Sequence, residues 1–218
     1  EIEHKAILDP CNELEKRGFE VTYLKPGKDG LVTAQQVAEA MQENTRLVSV
    51  MMVNNELGTV NPIKEIAAVC KGNEVLFHVD AAQAVGKITV DVKGLDVDML
   101  SLSGHKFYGP KGVGALYVRR GIKIEAQIHG GGHERGMRSG TLPTHQLVGI
   151  GEAAAIAKET LAEETKSITA LRESLLQGLL AIDGVSLHGH RDQRVPGIIN
   201  LGFAGVDGET LLMSLNTL

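Results

Sequence analysis

The feature that most constrains the fold is the stretch at residues 47–53, Leu-Val-Ser-Val-Met-Met-Val, which holds one hydroxyl and no charge. A strand that is apolar at successive positions has both faces covered. That is the pattern of a parallel sheet with helices above and below, not of a sheet with one wet face. The stretch is also far short of the ~20 residues that cross a bilayer. Similar apolar runs follow at 75–80, ending in Asp80, at 97–102, leading into Ser103-Gly104-His105-Lys106, and at 113–118, while 62–70 has helical spacing. This strand–helix–strand rhythm predicts an α/β fold with an open, largely parallel sheet. It does not require every strand to be parallel.

Outside that centre, Asp9 as cap with Pro10 in the first helical position predicts a helix that Gly18 ends. Residues 19–24 alternate as a strand does. Thr33 is expected to cap a helix reaching about Gln42, with Val37, Ala38 and Met41 on its apolar face. Two helices are expected at about 144–164 and 168–182, strands at 185–188 and 198–201, and a last helix opened by Gly208-Glu209-Thr210. A shift in composition near residue 160 predicts domains at 1–160 and 161–218.

The 22 basic and 27 acidic residues leave a formal charge of −5, which speaks against nucleic-acid binding. The opening Glu-Ile-Glu-His-Lys shows no secretory signal pattern. Cys11 and Cys70 lack C-x-x-C spacing, so a reducing cytoplasm or organelle matrix is expected. Both have apolar neighbours at helical spacing, which predicts buried helix packing rather than a catalytic thiol.

Ligands of open α/β sheets bind beyond the carboxyl ends of the strands. Three polar clusters fall there: Asn54-Asn55-Glu56, Asp80-Ala81-Ala82-Gln83 and Ser103-Gly104-His105-Lys106. A lysine leaving a buried strand sits where desolvation favours the neutral amine, and so is a candidate nucleophile toward an aldehyde. Asp80 would place a carboxylate at a neighbouring strand end. A lysine and an acid arranged in this way suit pyridoxal phosphate, whose ring nitrogen needs the acid. Alternatively, Lys106 is a surface lysine and Asp80 a helix cap. Ser103 and His105 could donate to a phosphate or simply be polar loop residues. Asn55 could bond a phenolic oxygen or a carboxylate, or form an Asx turn. Gln83, three residues after Asp80, faces the same ligand on a helical turn or faces solvent. In the glycine-rich segment 129–136, His133-Glu134 begins an H-E-x-x-H pattern, but Met137 stands where the second histidine belongs, so no metal site is expected.

Taken together, Ser103-Gly104-His105-Lys106-Phe107-Tyr108-Gly109-Pro110-Lys111-Gly112, His78-Val79-Asp80-Ala81-Ala82-Gln83, Val53-Asn54-Asn55-Glu56-Leu57-Gly58 and the segment from His129 to Thr141 resemble the cysteine desulfurases of iron–sulfur-cluster assembly. These are class V, fold type I pyridoxal-phosphate enzymes. The resemblance implies a fold type I large domain over 1–160, lacking its N-terminal part, and the start of an α+β small domain over 161–218. It implies that Lys106 holds the cofactor and moves protons, that Asp80 pairs with the ring nitrogen, and that Gln83 bonds the phenolic oxygen. By the resemblance Ser103 and His105 would bind the phosphate. By the same resemblance His4 would stack on the ring and assist proton transfer, and Asn55 would lie near the substrate carboxylate and the ring oxygen. Thr141 reaches the phosphate of the other subunit, so a homodimer shares its sites. The implied reaction converts L-cysteine to L-alanine and passes sulfur, as a persulfide, to an iron–sulfur scaffold or another acceptor protein, without nucleic acid or membrane.

The family's phosphate-cradling turn and its mobile cysteine loop have no counterpart in these 218 residues, so the chain is expected to be a central fragment, inactive alone. The alternatives are a selenocysteine lyase, another class V lyase or transaminase, or a non-catalytic fragment.

Overall fold

The computed structural model describes residues 1–217. It is a mixed α/β structure whose main sheet is mostly parallel, and it divides into two compact units. One comprises Glu1–Ala40, Val53–Pro62 and Ala162–Leu218, the other Met41–Met52 and Ile63–Leu161.

In the first unit, α1 spans Lys5–Lys16. The helix starts earlier than Asp9-Pro10 predicts, because the His4 ring accepts the Ala6 N–H and caps it, leaving Pro10 inside. There Pro10 forgoes one backbone hydrogen bond. The expected end holds: Gly18, at φ +89°, gives its N–H to the Glu15 carbonyl while Phe19 bonds Leu14. Residues 19–24 form no strand, since alternation alone supplies no pairing partner. Helix α2, Ala34–Ala40, starts at Thr33 as expected, through a reciprocal box: the Gln36 N–H bonds Thr33 Oγ1 and the Thr33 N–H bonds Gln36 Oε1.

In the second unit, β1 (Leu47–Met51), β2 (Leu76–Asp80), β3 (Met99–Ser103) and β4 (Gly114–Val118) build a sheet of order β1-β2-β3-β4, with α3 (Ile63–Gly72) between β1 and β2 in the chain. The β1–β2 and β2–β3 pairs are parallel and β4 is an antiparallel edge. α3 packs Ile63, Ile66, Ala67 and Cys70 inward, and Val50, Met51, Phe77, Val79 and Leu100 complete the core. In β1 and β2 burial is concentrated at the carboxyl ends, whereas β3 is mostly half-buried and β4 runs from exposed to half-buried. Leu47 and Leu76, which open β1 and β2, are exposed, so full two-sided burial does not extend over the whole strands.

The two helices expected after residue 144 are one, α4, Thr144–Leu180. The intervening Thr165-Lys166-Ser167 contains neither glycine nor proline, and its modest propensity cost does not stop a helix. In the first unit β5 (Val185–His188) and β6 (Asn200–Phe203) form an antiparallel pair, and α5 (Gly208–Leu215) is capped by Asp207.

Candidate active site

Parallel pairing puts the carboxyl ends of β1, β2 and β3 on one rim. Asp80 closes β2 opposite Ser101 of β3, and the Ala81 N–H bonds the Ser101 carbonyl at 2.9 Å. Asp80 and the Ser103–Lys106 segment therefore leave adjacent strands side by side, as expected from the sequence.

Asp80 is buried, and its Oδ1 accepts the Ala82 N–H at 2.9 Å. Among the described residues no Lys or Arg pairs with this carboxylate. A buried charge without a cation is costly and marks a place where a ligand charge belongs. On the same strand, burial pushes the His78 ring below its ordinary value, with Asp80 partly opposing this, and Ser49 Oγ lies 2.9 Å from His78 Nδ1.

Lys106 lies in a short 3-10 helix, Gly104–Phe107. The loop from β3 to β4 is closed at its base by the Gly104 N–H on the Val113 carbonyl at 2.9 Å. A Cβ on Gly109 would stand 2.9 Å from the Gly104 carbonyl oxygen, which is why this close turn takes glycine. The expected desolvation of Lys106 is not found: the side chain is exposed, because the turn carries it past the strand end. It has no hydrogen-bond or ion-pair partner among the described residues. The buried amine is instead Lys87, whose Nζ donates to Gln83 Oε1. Burial first, and then the charge of Lys106, hold Lys87 below the ordinary lysine value. Gln83 does not sit on a regular helix: residues 81–87 wind in turns. Ser103 Oγ lies 2.8 Å from His105 Nδ1 beside Lys106.

The remaining candidates lie elsewhere along the chain. Thr141 is exposed between the glycine-rich loop and α4. That loop is wound left-handed at Gly130, Gly131, Gly132, Glu134, Arg135 and Gly136, which is what its glycines permit. His4 and Asn55 belong to the first unit. His4 Nδ1 accepts the Ala6 N–H at 3.1 Å, which leaves Nε2 as the other ring nitrogen. Asn55 is half-buried in a turn built by its neighbour Asn54, whose Oδ1 takes the N–H groups of Glu56 and Leu57 and whose Nδ2 donates to the Ile2 carbonyl. The Asx turn weighed for Asn55 thus belongs to Asn54. The sequence reading missed Asn54 and Lys87. The signal for Lys87 was its place four residues after Gln83, behind a glycine.

Cys70 is buried on α3, as expected. Cys11 is only half-buried, because α1 has no buried residue in this structure.

The donor set fits pyridoxal phosphate: an uncommitted primary amine, a buried carboxylate without a cation, an amide, and a hydroxyl–imidazole pair share one rim.

Comparison with known proteins identifies the family. The model of the class-V aminotransferase family matches residues 1–217. The cysteine desulfurases IscS of Aeromonas hydrophila and Vibrio atlanticus are each 56% identical over 218 residues, covering 99% of this chain and 54% of theirs. Among solved structures, a NifS-like protein superposes with a TM-score of 0.95 at 40% identity, covering 99% of this chain and 60% of that one. DndA from Streptomyces lividans superposes at 0.90 with 41% identity, covering 99% and 62%. The chain spans about half the length of the curated relatives it matches.

Proposed function

The chain belongs to the class-V aminotransferase family, and from that premise we propose that the whole protein is a pyridoxal-phosphate-dependent cysteine desulfurase. It converts L-cysteine to L-alanine and delivers the sulfur as a persulfide for iron–sulfur cluster assembly. The observation that carries this reading is the buried Asp80 carboxylate, without a cationic partner, on the rim that also presents the uncommitted Lys106.

Pyridoxal phosphate, when bound, supplies an electron sink that stabilises negative charge at the substrate α-carbon. The residues of the chain do the rest. Lys106 Nζ holds the cofactor and carries protons. The Asp80 carboxylate keeps a proton on the ring nitrogen, gaining a cation for its buried charge. Gln83 Nε2 donates to the ring oxygen. Ser103, His105 and, across the homodimer, Thr141 bind the phosphate. His4, with Nδ1 engaged by its own helix, assists proton transfer through Nε2. Asn55 orients the substrate carboxylate. The support for the roles of Lys106, Asp80, Gln83, Ser103 and His105 is the resemblance together with the shared rim, and for those of His4, Asn55 and Thr141 the resemblance alone.

The overall reaction balances as one L-cysteine and one protein thiol giving one L-alanine and one protein persulfide. Cys70 is a poor candidate for that thiol, since burial, followed by the charge of Asp98, pushes it up to about 11. The reading also includes partition at 160/161 into large and small domains, a homodimer, sulfur-acceptor proteins as partners, and a place in the cytoplasm or an organelle matrix.

The test uses the full-length protein with L-cysteine and pyridoxal phosphate. Alanine and protein-bound sulfur should appear in equal amounts, and Lys106→Ala should slow turnover by at least about 10³-fold. Turnover of L-selenocysteine alone, or none of either, would overturn the desulfurase reading.

A further inference from the structure

Lys87 stands beside two residues assigned above, and the proposed chemistry does not use it. Residues 81–87 are wound so that the Val85 N–H bonds the Ala81 carbonyl at 3.1 Å, which brings side chains four apart to one side. Lys87 Nζ therefore meets Gln83 Oε1. Gly86, at φ +77°, sets the depth of the turn: a Cβ there would stand 2.6 Å from the Phe107 Cβ. Only glycine lets the turn lie this close to the residue that follows Lys106.

A glutamine amide has one accepting end and one donating end, and an ammonium only donates. The ammonium of Lys87 fixes Oε1 toward itself, which leaves Nε2 as the end presented to the rim. Without that partner the amide can turn over and present either end, because the terminal torsion of glutamine is broad and nearly two-fold.

We propose that Lys87 is a positioning residue. By holding Gln83 in one orientation, it commits the rim to a ligand oxygen that accepts a hydrogen bond, and so favours an ionised ring oxygen over a hydroxyl. The inference rests on the pyridoxal-phosphate reading and deepens it.

The experiment uses the full-length protein without substrate. It reads the dissociation constant for pyridoxal phosphate and the pH midpoint of the near-visible band of the bound cofactor. Lys87→Met is expected to weaken binding severalfold, up to about tenfold: about twofold from the free choice between two amide orientations, and the rest from the weaker polarisation of the Nε2 donor once the ammonium is gone. It should also move the midpoint upward, since an ionised oxygen that loses its donor holds a proton more tightly. Lys87→Arg is expected to stay within about twofold of wild type, because it restores a donor. The decisive comparison is made in a Gln83→Leu background, where adding Lys87→Met should change neither reading. If Lys87→Met unfolds, Lys87→Gln is read in the same two backgrounds. Unchanged binding and midpoint in the single variant overturn the proposal. So does an equal loss with and without Gln83, which is what a purely structural lysine gives. Wild-type protein that fails to bind pyridoxal phosphate overturns the functional reading as well, whereas wild-type binding with an indifferent Lys87 removes this inference alone.

Discussion

Cys70 keeps 1% of its surface exposed on α3, and its thiol is pushed up to about 11 by burial and then by Asp98. Only the thiolate reacts with alkylating agents. At neutral pH, Cys70 of the folded protein should therefore be alkylated at least about 10²-fold more slowly than after unfolding. Cys11, half-buried on α1, should be modified first. A time course read by peptide mass would contradict this if Cys70 reacted at the rate of a free thiol. At the same scale Asp80 and Lys106 are the converse case: a charge buried without a cation and an amine left exposed without a partner. The place of both at the strand ends was legible in the sequence because each leaves an apolar strand, whereas the exposure of Lys106 was not. Lys87 and Asn54 were not legible either, because their roles depend on turns, one needing a left-handed glycine at 86 and the other an Asx turn. Neither turn announces itself by periodicity.

At the scale of elements, legibility followed the kind of signal. The apolar runs gave the strands of the main sheet to within a few residues, since short apolar runs of that length bounded by turn residues suit strands. Thr33 gave α2 through its reciprocal box with Gln36. The start of α1 was misplaced because histidine, not the aspartate before proline, supplies its cap. Glu173 of α4 offers a test of the first unit. Hydrogen bonds from Arg191 and then Arg172 hold its carboxyl at about 2, against an ordinary value of 4.5. The folded state then binds fewer protons than the unfolded state between those values, so stability rises with pH there. The contribution is fully present above pH 4.5 and is lost as pH falls toward 2. The pair is partly exposed, so the effect is modest and salt-sensitive. Urea unfolding at pH 5 and pH 3 should show a smaller acid loss for Glu173→Gln than for wild type, and identical losses would contradict the assignment.

For the molecule as a whole, among the described residues no helix is long and apolar enough to cross a membrane. What organises the second unit is the parallel order β1-β2-β3, which gathers strand ends distant in sequence onto one rim. That much follows from the sequence rhythm. The exposure of Lys106 and the coupling of Gln83 to Lys87 do not, since they arise from how two turns approach one another at Gly86 and Phe107. The proposed function requires this rim to hold pyridoxal phosphate through Lys106. Its most direct test is borohydride reduction of the cofactor-loaded full-length protein, followed by digestion and peptide mass mapping. The account predicts a pyridoxyl group on the peptide containing Lys106 and none in the Lys106→Ala variant. A pyridoxyl group on Lys87, Lys111 or another lysine, with Lys106 unmodified, would contradict it.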